Sequence, residues 1–470
     1  MLKNRHSLKS NLIGDKAFYK AVFAIIIPFI VQNTISSFVN LLDNVMVGQL
    51  GTPQINGVAI ANQLFFIFNI CIFGSISGAS IFGAQFFGAK DFENMRASAR
   101  FKLYACISVF AMGAVIFLTL DDQLISLFLN DADKPAEVAL TLAEGKKYLF
   151  IMLLGLLPFA VTQAYASTLR EAGETVLPMV AGIIAVFVNM VGNYILIFGH
   201  FGAPQMGVEG AALATVISRF VEMAIVIAYA HNHRRYPFME GLYRTLKVPA
   251  RLVKRILIMG APLFINELLW SVGTSFISQL YSERGLDVVA ATNISNTVSN
   301  LFTTAVFSMG NAAAVLVGQA LGANELPRAR QTAWRLLAFS VFISLITGAA
   351  LAVSAPFIPR LYNTSEEIRI LATRFLWISC INMPFMAFAH TSYFTLRSGG
   401  KTLMTFMFDC LPLWAVNIPL CFVLVHFTAM NILWVYLIIN LTNFLKCLFG
   451  FYMVKKGVWI NNVTKQVVAD

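Results

Sequence analysis

The sequence predicts an all-α integral membrane protein of about twelve transmembrane helices in two homologous six-helix lobes, related by a pseudo-two-fold axis along the membrane normal. Three observations predict it. Only 12% of the 470 residues are charged and 58% are hydrophobic, whereas soluble domains carry roughly 25% charged residues. Apolar runs of about 20 residues, enough to cross a hydrocarbon core roughly 30 Å thick, recur along the chain. The second half repeats motifs of the first.

The runs place spans near 21–47, 55–84, 101–120, 147–169, 176–199, 208–231, 256–281, 288–318, 333–355, 368–396, 403–427 and 431–454. They are read as helices because lipid leaves each backbone polar group to be satisfied within its own segment, and they are too long for barrel strands. The basic N-terminus leads into a run that holds Pro28, Gln32, Asn33 and Asn40 and has no small-residue cleavage site, so it reads as a retained span rather than a signal peptide. Counting connections alternately from an inside N-terminus puts most of the 34 Lys and Arg inside, with Arg219 and Lys446 within spans. Arg234, Arg235, Arg244, Lys247, Arg251, Lys254 and Arg255 crowd the connection between spans six and seven, which is therefore expected to be cytoplasmic together with both termini. That cluster reads as an orientation signal, with a lipid-headgroup site as the alternative. A net charge of +11 distributed in this way gives no reason to expect a nucleic-acid partner. The six cysteines lie in apolar stretches without CxxC spacing and read as core residues, not a disulfide or zinc framework.

The duplication rests on fixed register. GAQFFGAKDFENMR at 83–96 pairs with VGQALGANELPRAR at 317–330, and the same ungapped offset pairs Pro28 with Pro262, Gly51 with Gly285, Asn62 with Asn296 and Phe68 with Phe302. TLREAGET at 168–175 pairs with TLRSGGKT at 395–402 at a slightly shorter offset, which implies a shorter connection in the second half. An even number of spans per half gives both halves the same orientation, the parallel-repeat plan of membrane transporters, with a cavity between lobes that rock. The division expected is 1–231 for the N-lobe, 232–255 for a cytoplasmic linker and 256–470 for the C-lobe.

Pro28 followed by LLDNVMVGQLG, the Gln85-Phe86-Phe87-Gly88 loop with its Gln319-Ala320-Leu321-Gly322 partner, the two Leu-Arg-x-x-Gly motifs, and Asn189-x-x-x-Asn193 followed by GVEGAALAT together resemble the multidrug and toxic compound extrusion (MATE) transporters over nearly the whole chain. The resemblance implies a bacterial-type secondary exporter of small organic, often cationic, amphiphiles, working in the cell membrane by proton or sodium antiport.

A carboxylate inside a span is costly unless paired, protonated or facing a cavity. Asp43 lies about 22 Å beyond Pro28 along a helix, the spacing of the family's first-helix ion site, and can hold a proton or offer hard oxygens to Na⁺; the alternative is a solvated interfacial aspartate. Asn189 and Asn193, one helical turn apart, and Thr215 are its expected partners. Asn193 stands where the family often has aspartate, and the missing charge favours a proton over Na⁺ as the coupling ion.

Glu267, about 18 Å past Arg255, is a second ion-coupling candidate or else a structural acid. Its repeat mate is Asn33, and Trp270 and Met386 stand where a family-style C-lobe sodium pair would want acids. Asp409, roughly 12 Å past Lys401, is read as cavity-facing or as reached by interfacial water. Phe65, Phe66, Trp270 and Met309 could line a cavity suited to flat apolar cations, against a packing role. Pro28 and Pro262 mark a kink or a hinge. Arg219 and Glu222 are expected to pair, and His390 and His426 to be packing residues.

A flippase for lipid-linked intermediates would want a more cationic cavity, and a membrane-embedded enzyme would want a P-loop, nucleophile elbow or HExxH motif that the chain lacks. No cofactor is expected. The partners are small-molecule substrates and membrane lipids, and the chain is expected to act as a monomer.

Overall fold

The computed structural model describes residues 12–128, 135–232, 236–362 and 364–465, with only the backbone at 40, 41, 44, 45 and 52. Arg234 and Arg235 of the basic cluster, and both chain ends, lie outside those residues. Twelve described helices are long and apolar enough to cross a membrane. They are α1 Lys16–Gly48, α2 Thr52–Gly88, α3 Phe92–Thr119, α4 Pro135–Glu171, α5 Val176–Phe198, α6 Val208–Asn232, α7 Ala250–Ser282, α8 Leu286–Gly322, α9 Leu326–Ser354, α10 Glu366–Ser398, α11 Thr402–His426 and α12 Ile432–Lys456. No strand occurs among the described residues.

Several helices outrun the apolar runs that predict them. α3 starts at Phe92 and α4 at Pro135, because a helix continues through the interfacial layer where its polar turns are solvated. The ends follow local chemistry. Ser365 and Asn431 accept backbone N–H bonds from Ile368 and Leu433 at the starts of α10 and α12, and Gly199 closes α5 in the left-handed region at φ 76°. In α11, Pro412 and Pro419 remove backbone donors, and the turn between them, Leu413–Asn417, is π-helical.

The repeat is visible in helix lengths. α1 and α7 each have 33 residues and α2 and α8 each have 37. By compactness the chain divides into a C-unit of Met1–Ile30, Ala84–Asp91 and Lys254–Asp470, and an N-unit of Val31–Gly83 and Phe92–Val253. The division falls inside α1, just after Pro28.

In the C-unit, Val22, Ile25 and Ile26 of α1 bury against Phe339, Ala389, Tyr393 and Trp459. The paired loop motifs explain themselves here. A Cβ on Gly88 would overlap the Gln319 backbone, and one on Gly322 would overlap the Gln85 backbone, so each repeat's glycine admits the other repeat's helix end. Fully buried Gln85 donates to the carbonyls of Ser398 and Asn461 and accepts from the Val463 amide. Gly88→Ala and Gly322→Ala should therefore each cost about 1–3 kcal/mol through forced backbone shifts, read as a lowered melting temperature. Unchanged melting of both variants would contradict this close approach.

In the N-unit, part of the connection after α6 is docked rather than loose. Arg96, Arg100 and Tyr104, successive turns of α3, donate to the carbonyls of Pro237 and Glu240, of Lys247, and of Leu246 respectively. Tyr165 meets His231 and Tyr243 beside them.

Candidate ion site

GVEGAALAT builds the close side of this site. A Cβ on Gly210 would press on the Leu196 carbonyl, and one at Gly192 would lie 2.9 Å from the Ala214 Cβ, so α5 and α6 run close together. Ala211, Ala212 and Ala214 are buried in the seam. At that separation Asn189 of α5 reaches Thr215 of α6, 3.0 Å away, and Asn193 donates from Nδ2 to Asp43 Oδ1 at 2.7 Å. The Asn189 amide satisfies both its ends when its nitrogen faces the carboxylate, donating to Asp43 Oδ2 at 3.0 Å while its oxygen takes the Thr215 hydroxyl at 3.0 Å.

Four of the expected ion residues, Asp43, Asn189, Asn193 and Thr215, are thus one constellation. Asn189 and Asn193 are both buried. Two neutral amides hold the carboxylate, and no ion pair joins Asp43 among the described residues. The Asn193 Oδ1 is buried and accepts nothing, which leaves an oxygen free for an incoming cation or proton donor. Sequence reading missed Tyr148 of α4, which lies within electrostatic reach of Asp43 and makes a long 3.5 Å contact with Asn62 of α2. A tyrosine in an aromatic-rich span gives no signal of its own.

The remaining intraspan acids are different. Glu222 pairs with Arg219 at 3.2 Å, as the spacing implied. Glu171 pairs with fully buried Lys102 at 2.5 Å, although the place of Lys102 at the edge of an apolar run suggests only an interfacial basic residue. Asp409 pairs with Lys446 at 2.8 Å, a partner the sequence did not suggest. Glu267 belongs to the C-unit, within electrostatic reach of Arg397 and Asp409, and is not part of the Asp43 constellation.

Of the residues expected to line a cavity, Met309 has no exposed surface and is a C-unit core residue, and Phe65 is buried edge-on against Phe117. These two are corrected to packing roles, because neither leaves enough surface for a ligand to touch. Phe66 and Trp270 are about half-exposed. His390 is wedged edge-on between Phe307 and Phe394, and His426 sits 2.9 Å from Glu283. No group of three His, Cys, Asp or Glu suited to a metal occurs among the described residues, and all six cysteines are free. Pro28 and Pro262 lie inside α1 and α7.

The family model MatE matches residues 28–195 and again 262–423, most of the chain and once per repeat. The chain belongs to the MatE family. MatE relatives include a protein named "Probable multidrug resistance protein NorM" in Thermotoga maritima, 25% identical over 435 residues, 91% of each chain. Another, "Probable multidrug resistance protein YoeA" of Bacillus subtilis, is 27% identical over 428 residues, 89% of each. The MatE fold is equally plain: the chain superposes on a multidrug resistance MATE family transporter of the MOP superfamily in an outward-facing conformation with a TM-score of 0.83 at 21% identity, covering 95% and 96% of the two chains. It matches a mutant of the Vibrio cholerae MATE transporter VcmN at 0.84 and 19%, covering 96% and 98%. The protein is a multi-pass membrane transporter of a multidrug efflux family, not an enzyme.

Proposed function

We propose that this MatE protein exports small organic, often cationic, amphiphiles across the cell membrane in exchange for protons, with Asp43 as the exchanging carboxylate. The observation that carries the reading is how Asp43 is held: Glu171, Glu222 and Asp409 each have a basic side chain of the chain itself and Glu267 lies within electrostatic reach of Arg397, whereas the hydrogen-bond partners of Asp43 among the described residues are two neutral amides. An unpaired carboxylate in a span needs its charge neutralised from outside, and a mobile cation does that. Proton loading removes the charge held by Asn189 and Asn193 and frees α1, and the boundary of the compact units just after Pro28 fits a hinge there. Substrate and ion then alternate at lobes that rock.

Sodium at the same site is the second reading, favoured by the free Asn193 Oδ1. The distribution of basic residues supports cytoplasmic termini, and a monomer suffices for the scheme.

Uptake of a fluorescent lipophilic cation such as ethidium into inside-out vesicles, with proton and sodium gradients imposed separately, tests both readings. Uptake is expected with the proton gradient alone. Uptake driven by sodium and indifferent to pH would transfer the role at Asp43 to Na⁺. Uptake under neither gradient would refute coupled export.

A further inference from the structure

The sixth helix of each repeat runs on into a docked segment. After α6 that segment lies on α3 of its own unit. After α12, residues 457–464 thread instead among three loop motifs of the C-unit. Trp459, with no exposed surface, anchors them: its indole Nε1 donates to the Val454 carbonyl at 3.3 Å, and a Cβ on Gly399 would overlap the Trp459 carbonyl. Asn461 Nδ2 then donates to the Gly399 carbonyl at 3.3 Å, and Asn462 Nδ2 to the Gly322 carbonyl at 3.2 Å. Fully buried Val463 gives its amide to Gln85 Oε1 at 2.8 Å. Three consecutive residues thus each hold one motif.

Gln85 matters most among these contacts because α2 is divided: through Gly83 it counts with the N-unit, and from Ala84 with the C-unit. Its Nε2 donates to the Ser398 and Asn461 carbonyls at 2.8 and 3.2 Å, so both ends of a fully buried amide are satisfied by C-unit backbone. A buried amide that loses such partners pays its full desolvation penalty. Gly88 and Gly322 allow the backbones to approach, but a glycine offers no side chain to retain them. Retention of the α2 end therefore falls to Gln85, and two of its three backbone partners belong to the segment after α12.

We propose that residues 457–464 are a latch on the α2 end: the segment holds Gln85, and with it residues 84–91, on the C-unit, and it lets go when the lobes rock. It sets how readily the membrane side that carries both termini opens. The latch rests on lobes that rock, not on the ion exchanged at Asp43.

Full-length wild-type, Gln85→Leu and Asn462→Ala proteins are purified in detergent, and hydrogen–deuterium exchange is read by mass spectrometry in peptides over 84–91, 457–464 and, as a reference for the C-unit core, α10. In the wild type the first two segments are expected to share one opening rate, as a cooperative unit does. Gln85→Leu, which keeps the side-chain size and removes its bonds, should speed exchange in both by about tenfold or more and leave α10 unchanged. Asn462→Ala, which alters the latch and leaves α2 intact, should also speed exchange over 84–91, and it carries the test alone if Gln85→Leu fails to fold. The measurement needs no transport, so a failure of proton-coupled export would leave its result standing. The latch is overturned if 84–91 keeps its wild-type exchange in the folded variants, if 457–464 opens without 84–91, or if α10 speeds up equally, which would make the segment a plain structural plug.

Discussion

Asp43→Asn is expected to leave a folded protein whose gradient-driven export falls by about 5- to 150-fold, the range spanned by a coupling free energy of roughly 1–3 kcal/mol. The amide nearly matches the carboxylate in size, so the seam between α5 and α6, set by Gly192, Gly210 and the buried alanines, is undisturbed. Asn193 and Asn189 lose a charged acceptor but can rotate to meet an amide. What disappears is a carboxylate held by two neutral amides, and with it the group whose neutralisation links ion and substrate. Substrate binding should survive. The comparison is uptake by wild-type and Asp43→Asn vesicles at matched expression; equal rates under a proton gradient would remove Asp43 from the mechanism.

Lys102→Met should be among the most destabilising single substitutions, at about 3–5 kcal/mol. The Lys102 Nζ lies 2.5 and 2.6 Å from the two Glu171 oxygens and 3.2 Å from the Thr168 hydroxyl, while Ser167 donates to Oε1 at 2.9 Å. The Lys102 and Glu171 side chains are 0% and 6% exposed, and α2 packs so closely on the Glu171 carboxylate that a Cβ on Gly83 would collide with it. Removing one partner strands a buried charge, whereas removing both does not. Lys102→Met/Glu171→Gln should therefore recover most of the loss. Thermal unfolding of the three proteins decides it: a single variant that melts like wild type, or a double no better than the single, would show that the pair carries little of the N-unit's stability.

The helices were legible because hydrocarbon admits few alternatives, and the repeat because Gly88 and Gly322 must each admit a backbone and cannot drift. Asp43, Asn189, Asn193 and Thr215 were legible through the resemblance to the MATE transporters, to which spacing adds that one turn of helix puts both asparagines on one face. The built-in pairs were not legible. Lys102 and Glu171 are joined across 69 residues and Lys446 and Asp409 across 37, distances over which periodicity says nothing about which helices are neighbours. Met309 shows the same gap, since a side chain suited to an adaptable cavity and one suited to a core look alike until packing decides.

Proton release is the most direct measure of exchange at Asp43. Purified wild-type protein in weakly buffered detergent solution, mixed with a cationic substrate such as ethidium in the presence of a pH indicator, should release about one proton per bound substrate, because two ligands that exclude each other must displace each other reciprocally. Asp43→Asn should bind the same substrate and release none. Binding by the wild-type protein without proton release, or equal release from both proteins, would contradict exchange at this carboxylate.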